Sequence, residues 1–124
     1  MIDFNNSSLI KLRPVNDNAF EKKVAPILID GEEIIRCFQS LRDGVVFTNK
    51  RIITINIQGL TGKKVDFTSL PYKKIQAFSV ETAGAFDLDS ELDLWFSGMG
   101  RVRLEFIGAA DVSHLCKLIS EQVL

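Results

Sequence analysis

After residue 33 hydropathy alternates with a period of two, and it changes to a helical period only near the end of the chain. That order constrains the fold more than any other feature. In residues 51–57, Ile53, Ile55 and Ile57 alternate with Ile52, Thr54 and Asn56, as in a half-buried strand. Two more apolar runs, 34–41 and 44–48, are separated only by Arg42-Asp43, and Asn49-Lys50 provides a tight turn before residue 51. The glycine-bearing stretch 58–63 turns into a strand around 64–69 that Pro71 stops. Residues 75–82 resume with Phe78 and Val80 on one face. The strongest hairpin spans 91–107: Leu92, Leu94 and Phe96 share a face with Val102, Leu104 and Phe106 across Gly98-Met99-Gly100. Its other face carries Asp93, Trp95, Arg101, Arg103 and Glu105. Two registers fit, one with Asp93 opposite Arg103 and one with Trp95 there. Beyond Gly108, Val112, Leu115, Cys116 and Ile119 recur at helical spacing behind Asp111, a good N-cap. About seven consecutive antiparallel strands followed by one helix exclude a Rossmann or βα-barrel fold. They predict a mainly β domain, a curved sheet or barrel capped by a C-terminal helix.

The first 30 residues read as a separate, partly helical extension to a body at 31–124. Asn5-Asn6-Ser7-Ser8 marks a turn. Phe20, Val24, Ile27 and Leu28 fall on one helical face that Asn16 or Asp17 could cap, and Pro26 interrupts it. The expectation is a short helix ending near Ala25, or two short pieces, before an Asp30-Gly31 turn. At 124 residues the chain can bury a core without disulfide or metal. Its mean hydropathy is +0.12, rather apolar for a small domain. Ile52 beside Ile53, and Trp95 between Leu94 and Phe96, put apolar side chains on both faces of strands. That surplus is expected to meet another copy of the chain.

The chemistry-bearing residues exclude more than they assign. Fifteen basic and sixteen acidic side chains give a net charge of −1, which argues against nucleic-acid binding. Cys37 and Cys116 lie outside any C-x-x-C or Cys/His grouping, so they read as reduced, buried thiols. The N-terminus has no signal-peptide pattern, and no apolar run approaches the ~18–20 residues that span a bilayer, so the expected location is cytoplasmic. One histidine, His114, cannot build a metal triad, and nothing beside it supports a nucleophile device. Asp87, Asp89, Glu91 and Asp93 open like a calcium loop. The match fails at Leu92, where glycine is needed, and at Gly98, where a bidentate acid is needed. Alternation instead lays these acids along a polar strand face. An acid/base site built on Asp87, Asp89 or Glu91 is the residual enzymatic reading. Gly59-Leu-Thr-Gly62-Lys63 is too short for a phosphate loop, and strands rather than helices flank it. No cofactor, metal or catalytic residue is expected. Lys63, Lys64, Lys73 and Lys74 are the candidate contact for an anionic lipid or phosphate, at about 1 kcal/mol per basic residue near such a surface.

Four strings occur in the order of one family. They are Arg42-Asp43-Gly-Val-Val-Phe47-Thr48-Asn49-Lys50-Arg51, Gln58-Gly59-Leu-Thr61-Gly62-Lys63-Lys64, Pro71-Tyr72, and the stretch from Phe78-Ser79-Val80-Glu81-Thr82 through Asp87-Leu88-Asp89 to Leu92. Over about 31–124 the chain resembles the short bacterial pleckstrin-homology (PH-like) proteins. The resemblance implies two nearly orthogonal antiparallel sheets closed at one end by the C-terminal helix. It also implies a family mostly of undefined function, some members of which form rings. The basic cluster that holds phosphoinositides in the first hairpin loop of eukaryotic PH domains is not reproduced. The corresponding link is Arg42-Asp43, one basic residue beside an acid.

The resulting expectation is a non-catalytic interaction module that self-associates, in ring form as in some relatives, with a second protein as a further partner. Membrane contact is expected to be weak. Trp95, Asp93, Arg101 and Arg103 are the candidate partner surface.

Overall fold

The computed structural model describes residues 1, 4, 11–86, 88–108 and 110–124. The Asn5–Ser8 turn and Asp87 lie outside the described residues. Among the described residues eight strands form: β1 (Arg13–Val15), β2 (Ile34–Ser40), β3 (Asp43–Thr48), β4 (Arg51–Gln58), β5 (Lys64–Pro71), β6 (Ile75–Glu81), β7 (Ser90–Phe96) and β8 (Gly100–Phe106). Helix α1 (Glu21–Val24) lies between β1 and β2, and α2 (Val112–Val123) closes the chain. Seven strands and α2 fall where periodicity places them. β1 is additional, because three residues around Pro14 carry no alternation to read.

Strands β1 to β5 make one antiparallel sheet in chain order, and β6 to β8 make a second. The sheets do not close into a continuous barrel. On one side Leu12 joins them: its N–H donates to the Glu105 carbonyl at 2.8 Å, and its carbonyl accepts from the Ile107 N–H at 2.9 Å. On the other side a 3-10 turn at Tyr72–Lys74 carries the chain from β5 to β6, and α2 packs over that turn, β6 and β7. Asp111 caps α2 as expected, its Oδ1 accepting from the His114 N–H at 3.1 Å.

Alternation sorts the apolar side chains into two clusters. Phe38, Val45, Phe47, Ile52 and Leu70 face Leu92, Leu94, Val102, Leu104 and Phe106 across the space between the sheets. Phe38 meets Phe106 edge-on, with ring centroids 4.8 Å apart, and so ties one sheet to the other. The opposite face of the larger sheet carries Cys37, Val46, Ile53 and Ile55, and it too is buried, under Phe20 and Val24. Adjacent isoleucines therefore have separate burial sites. Residues 16–29 cover the second apolar face of the five-stranded sheet, which accounts for much of the high mean hydropathy within one chain.

The covering segment differs from its expected course. Asn16 and Asp17 do not cap α1, whose N-cap position is Phe20 and which has no side-chain cap. Asn16 Oδ1 instead accepts from the Asn18 N–H at 3.1 Å, a local turn that competes with helix entry. After one turn, Pro26 lies within a 3-10 piece at Ala25–Ile27, so the second of the two expected forms is found. Phe20 lies so close over β3 that a Cβ at Gly44 would fall 2.5 Å from its ring. Only glycine fits there.

Candidate functional site

Three regions bear on function: the outer face of the smaller sheet, the two ends of the larger one, and a cleft beneath the covering segment. On the outer face the first hairpin register holds, with Asp93 opposite Arg103 and Trp95 opposite Arg101. The Arg103 fork binds both oxygens of Asp93, Nε to Oδ1 at 2.8 Å and Nη2 to Oδ2 at 3.0 Å, while Nη1 reaches Glu91 at 3.5 Å. Asp93 is thus buried rather than lying on an open polar face. The Asp93 carboxylate and the neighbouring acids hold the guanidinium charged well beyond its ordinary range. Glu91 is occupied by Arg103 and Asp89 is exposed, so these acids do not form a free pair for acid/base work. Trp95 is half-buried, between exposed Ala77 on β6 and exposed Arg101 on β8.

The four candidate lysines do not converge. Lys63 and Lys64 sit where β5 begins, and Lys73 and Lys74 lie just beyond its end. Strand β5 runs between the pairs and spans about 23 Å from Lys64 to Pro71. At the second end, Lys73 instead shares a cleft of about 260 Å³ with Lys50, Asn49, Tyr72 and Gln122. All four lysines are exposed.

The most connected polar cluster is one that motif reading does not find. Glu32, whose side chain is fully buried, accepts from Arg51 Nε and Nη2, each at 2.9 Å. It also accepts from Thr48 Oγ1 at 2.7 Å and from the Ile29 N–H at 3.1 Å. Arg51 goes on to the Ile27 carbonyl at 2.6 Å and the Ser69 hydroxyl at 2.8 Å. The buried Tyr72 hydroxyl donates to the Thr48 carbonyl at 2.7 Å. Burial alone would raise the Glu32 pKa, but the hydrogen bonds from Arg51, Thr48 and Ile29, with the Arg51 charge, outweigh it and hold it below the usual 4.5. Burial pushes the Tyr72 phenol far up. Every oxygen of Glu32 is engaged, so the cluster fastens residues 27–32 to the sheet and leaves no open acid. Glu32 also borders a cleft of about 480 Å³ lined by Asn16, Asp17, Glu21, Leu28 and Glu33. His114 is exposed on α2, and no group of three or more metal-ligating side chains assembles among the described residues. No helix among them is long and apolar enough to cross a membrane.

Comparison with known proteins gives a consistent result. Residues 3–123 match the family model for the bacterial PH domain. The uncharacterized protein YjqA of Bacillus subtilis is 55% identical over 80 residues, 64% of each chain, so the match spans less than two-thirds of that relative. YozO of the same organism is 34% identical over 102 residues, 82% of this chain and 88% of that one. Among solved structures, a DUF1696 family protein with a pleckstrin-homology domain from Shewanella loihica superposes with a TM-score of 0.78 at 42% identity, covering 93% of this chain and 99% of its own. A pleckstrin-homology domain from Shewanella amazonensis gives 0.66 at 44% identity, covering 89% and 90%.

Proposed function

Because this chain belongs to the bacterial PH domain family, we propose that it is a non-catalytic cytoplasmic interaction module that associates with itself and, through the same surface, with a second protein. The observation that carries this reading is Trp95. It stands half-buried on the central strand of the smaller sheet, near the hairpin end, with exposed residues opposite it on both neighbouring strands. A large aromatic partly open to solvent beside charged residues is a usual make-up of an interface anchor. Strand β6, at the free edge of that sheet, adds backbone groups that a second copy can pair. A head-to-tail contact using such an edge closes into a ring when its rotation divides the circle.

Light scattering behind size-exclusion chromatography tests the reading. A multimer is expected, and Trp95→Ala should dissociate it while the monomer keeps its circular-dichroism spectrum. Trp95 is the only tryptophan, so its emission should shift to the red on dilution. A strict monomer at every concentration sinks the proposal, and an unfolded Trp95→Ala monomer sinks the assignment of Trp95 to the interface.

A further inference from the structure

The connection between β6 and β7 holds two large apolar side chains in water. Phe86 is fully exposed, and Leu88 close behind it is exposed as well. From Glu81 to Glu91 there are four acidic residues and no basic one. A connection that needed only to reverse the chain would be better served by glycine, asparagine or serine. An acidic loop that presents a phenylalanine and a leucine clear of its own fold has the make-up of the projecting half of a contact.

A receiving half lies on the same chain. Lys11, Arg13, Ser40, Leu41 and Ile107 line a cleft of about 390 Å³ beside the seam where Leu12 joins the two sheets. Leu41 and Ile107 give it apolar walls, and Leu41 is 89% exposed, so that wall is uncovered in the single chain. Lys11 and Arg13 are exposed, and among the described residues neither is in an ion pair. Backbone strain gathers at the same place. Lys11 and Leu41, with φ of +54° and +51°, are the only non-glycine residues of positive φ among those described, and both line this cleft. Strain that no turn here requires for chain reversal is a functional signal.

From this complementarity we infer that Phe86 and Leu88 of one copy dock in the Lys11–Arg13 cleft of a second copy. The apolar side chains enter against Leu41 and Ile107, and the acidic loop lies against the two cations. A concave cleft suits a projecting side chain, and its charge selects an acidic segment. The chain does not fill its own cleft, because its Phe86 stands free of it. The inference rests on the self-association proposed above and adds a contact at the other end of the smaller sheet. Ser90, which follows the loop, pairs with Phe106, whereas Trp95 pairs with Arg101 beside the hairpin turn. One buried phenylalanine does not by itself offset the translational freedom that two monomers lose. The contact therefore forms where the Trp95 surface already brings copies together.

Light scattering of the full chain across a dilution series is the test. Phe86→Ser with Leu88→Ser should raise the dissociation constant of the multimer about tenfold or more, with an unchanged circular-dichroism spectrum because both side chains are exposed. Lys11→Glu with Arg13→Glu should weaken association as well, whereas Lys73→Glu with Lys74→Glu, the same charge change elsewhere, should not. Adding Asp87→Lys with Asp89→Lys to the Lys11→Glu, Arg13→Glu protein should restore the association that the first pair removes. A wild-type dissociation constant in the serine variant overturns the inference and leaves the Trp95 reading standing. Equal loss from both basic-to-acidic variants overturns it too, as does a charge exchange that restores nothing. A strict monomer at every concentration overturns both readings together.

Discussion

Strand β3 runs between two tight turns, and the two are built on opposite principles. At the β3–β4 turn, Thr48 Oγ1 accepts from the N–H groups of Lys50 and Arg51, both at 3.0 Å. Asn49 bonds the Gly31 carbonyl and the Glu33 N–H through its side chain. The Glu32–Arg51 pair lies immediately behind. At the β2–β3 turn, Leu41 holds a left-handed backbone and points into water, tied by the Gln39 side chain to its carbonyl at 2.9 Å. One end meets every local preference and anchors the covering segment. The other departs from backbone preference and from hydropathy at the same residue. Where such departures coincide in an otherwise consistent fold, selection for something besides stability is the economical explanation.

The anchored end should respond most strongly to mutation. Arg51→Ala leaves Glu32 buried and without its counter-ion, so the expected loss is about 3–5 kcal/mol, measured by urea denaturation. The covering segment should loosen with it, because Arg51 also holds the Ile27 carbonyl. Cys37 lies beneath that segment, its thiol bonded to the Asp17 carbonyl at 3.2 Å. Its reaction with a thiol reagent should therefore accelerate in parallel. A loss below about 1 kcal/mol would class the cluster with ordinary surface pairs and remove the contrast between the two ends.

The same end should make stability fall at both extremes of pH. Glu32 has a folded pKa below its ordinary 4.5, so its contribution is complete above that value and is lost as pH falls through the folded one. Cys37 behaves in the opposite sense. Burial, with the nearby Asp17 charge, pushes its pKa from 9.0 up to about 11. The unfolded thiol ionises first, so stability declines as pH rises from 9.0 to about 11. Tyr72, raised more strongly still by burial, extends the decline. Urea midpoints across pH should show both slopes, with Glu32→Gln flattening the acid one and Cys37→Ala the first part of the alkaline one. An acid slope unchanged in Glu32→Gln would place its origin elsewhere.

These differences also explain what was legible in the sequence. Seven strands and α2 follow from periods of 2 and 3.6, because each presents a full apolar face to one core. The 91–107 register stayed open because loop length, not alternation, decides it; Phe96 pairs with Gly100 across a loop in which Gly98 has a φ of +80°. The Glu32 cluster is invisible because Asp30-Gly31-Glu32-Glu33 reads as a solvated turn, and its partner lies 19 residues away. Leu41 was hidden for the converse reason. An apolar residue ending an apolar run reads as strand, and only the pairing of Ser40 with Asp43 moves it into the turn.

The smallest expected effect has the opposite sign and is the sharpest check on the β2–β3 turn. Leu41→Gly removes the Cβ that opposes a φ of +51° and gives up almost no packing from a side chain that is 89% exposed. The expected gain is about 1 kcal/mol, reduced by the greater freedom of glycine in the unfolded chain. Leu41→Ala separates strain from exposure, since it removes the apolar side chain and keeps the Cβ. If strain is what the turn stores, glycine should raise the urea midpoint and alanine should leave it nearly unchanged. Equal gains from both would mean that exposed apolar surface, not backbone conformation, costs the fold its stability at this end. A loss from glycine would mean that Leu41 makes a stabilising contact in solution, and the β2–β3 turn would then resemble the anchored end it has been set against.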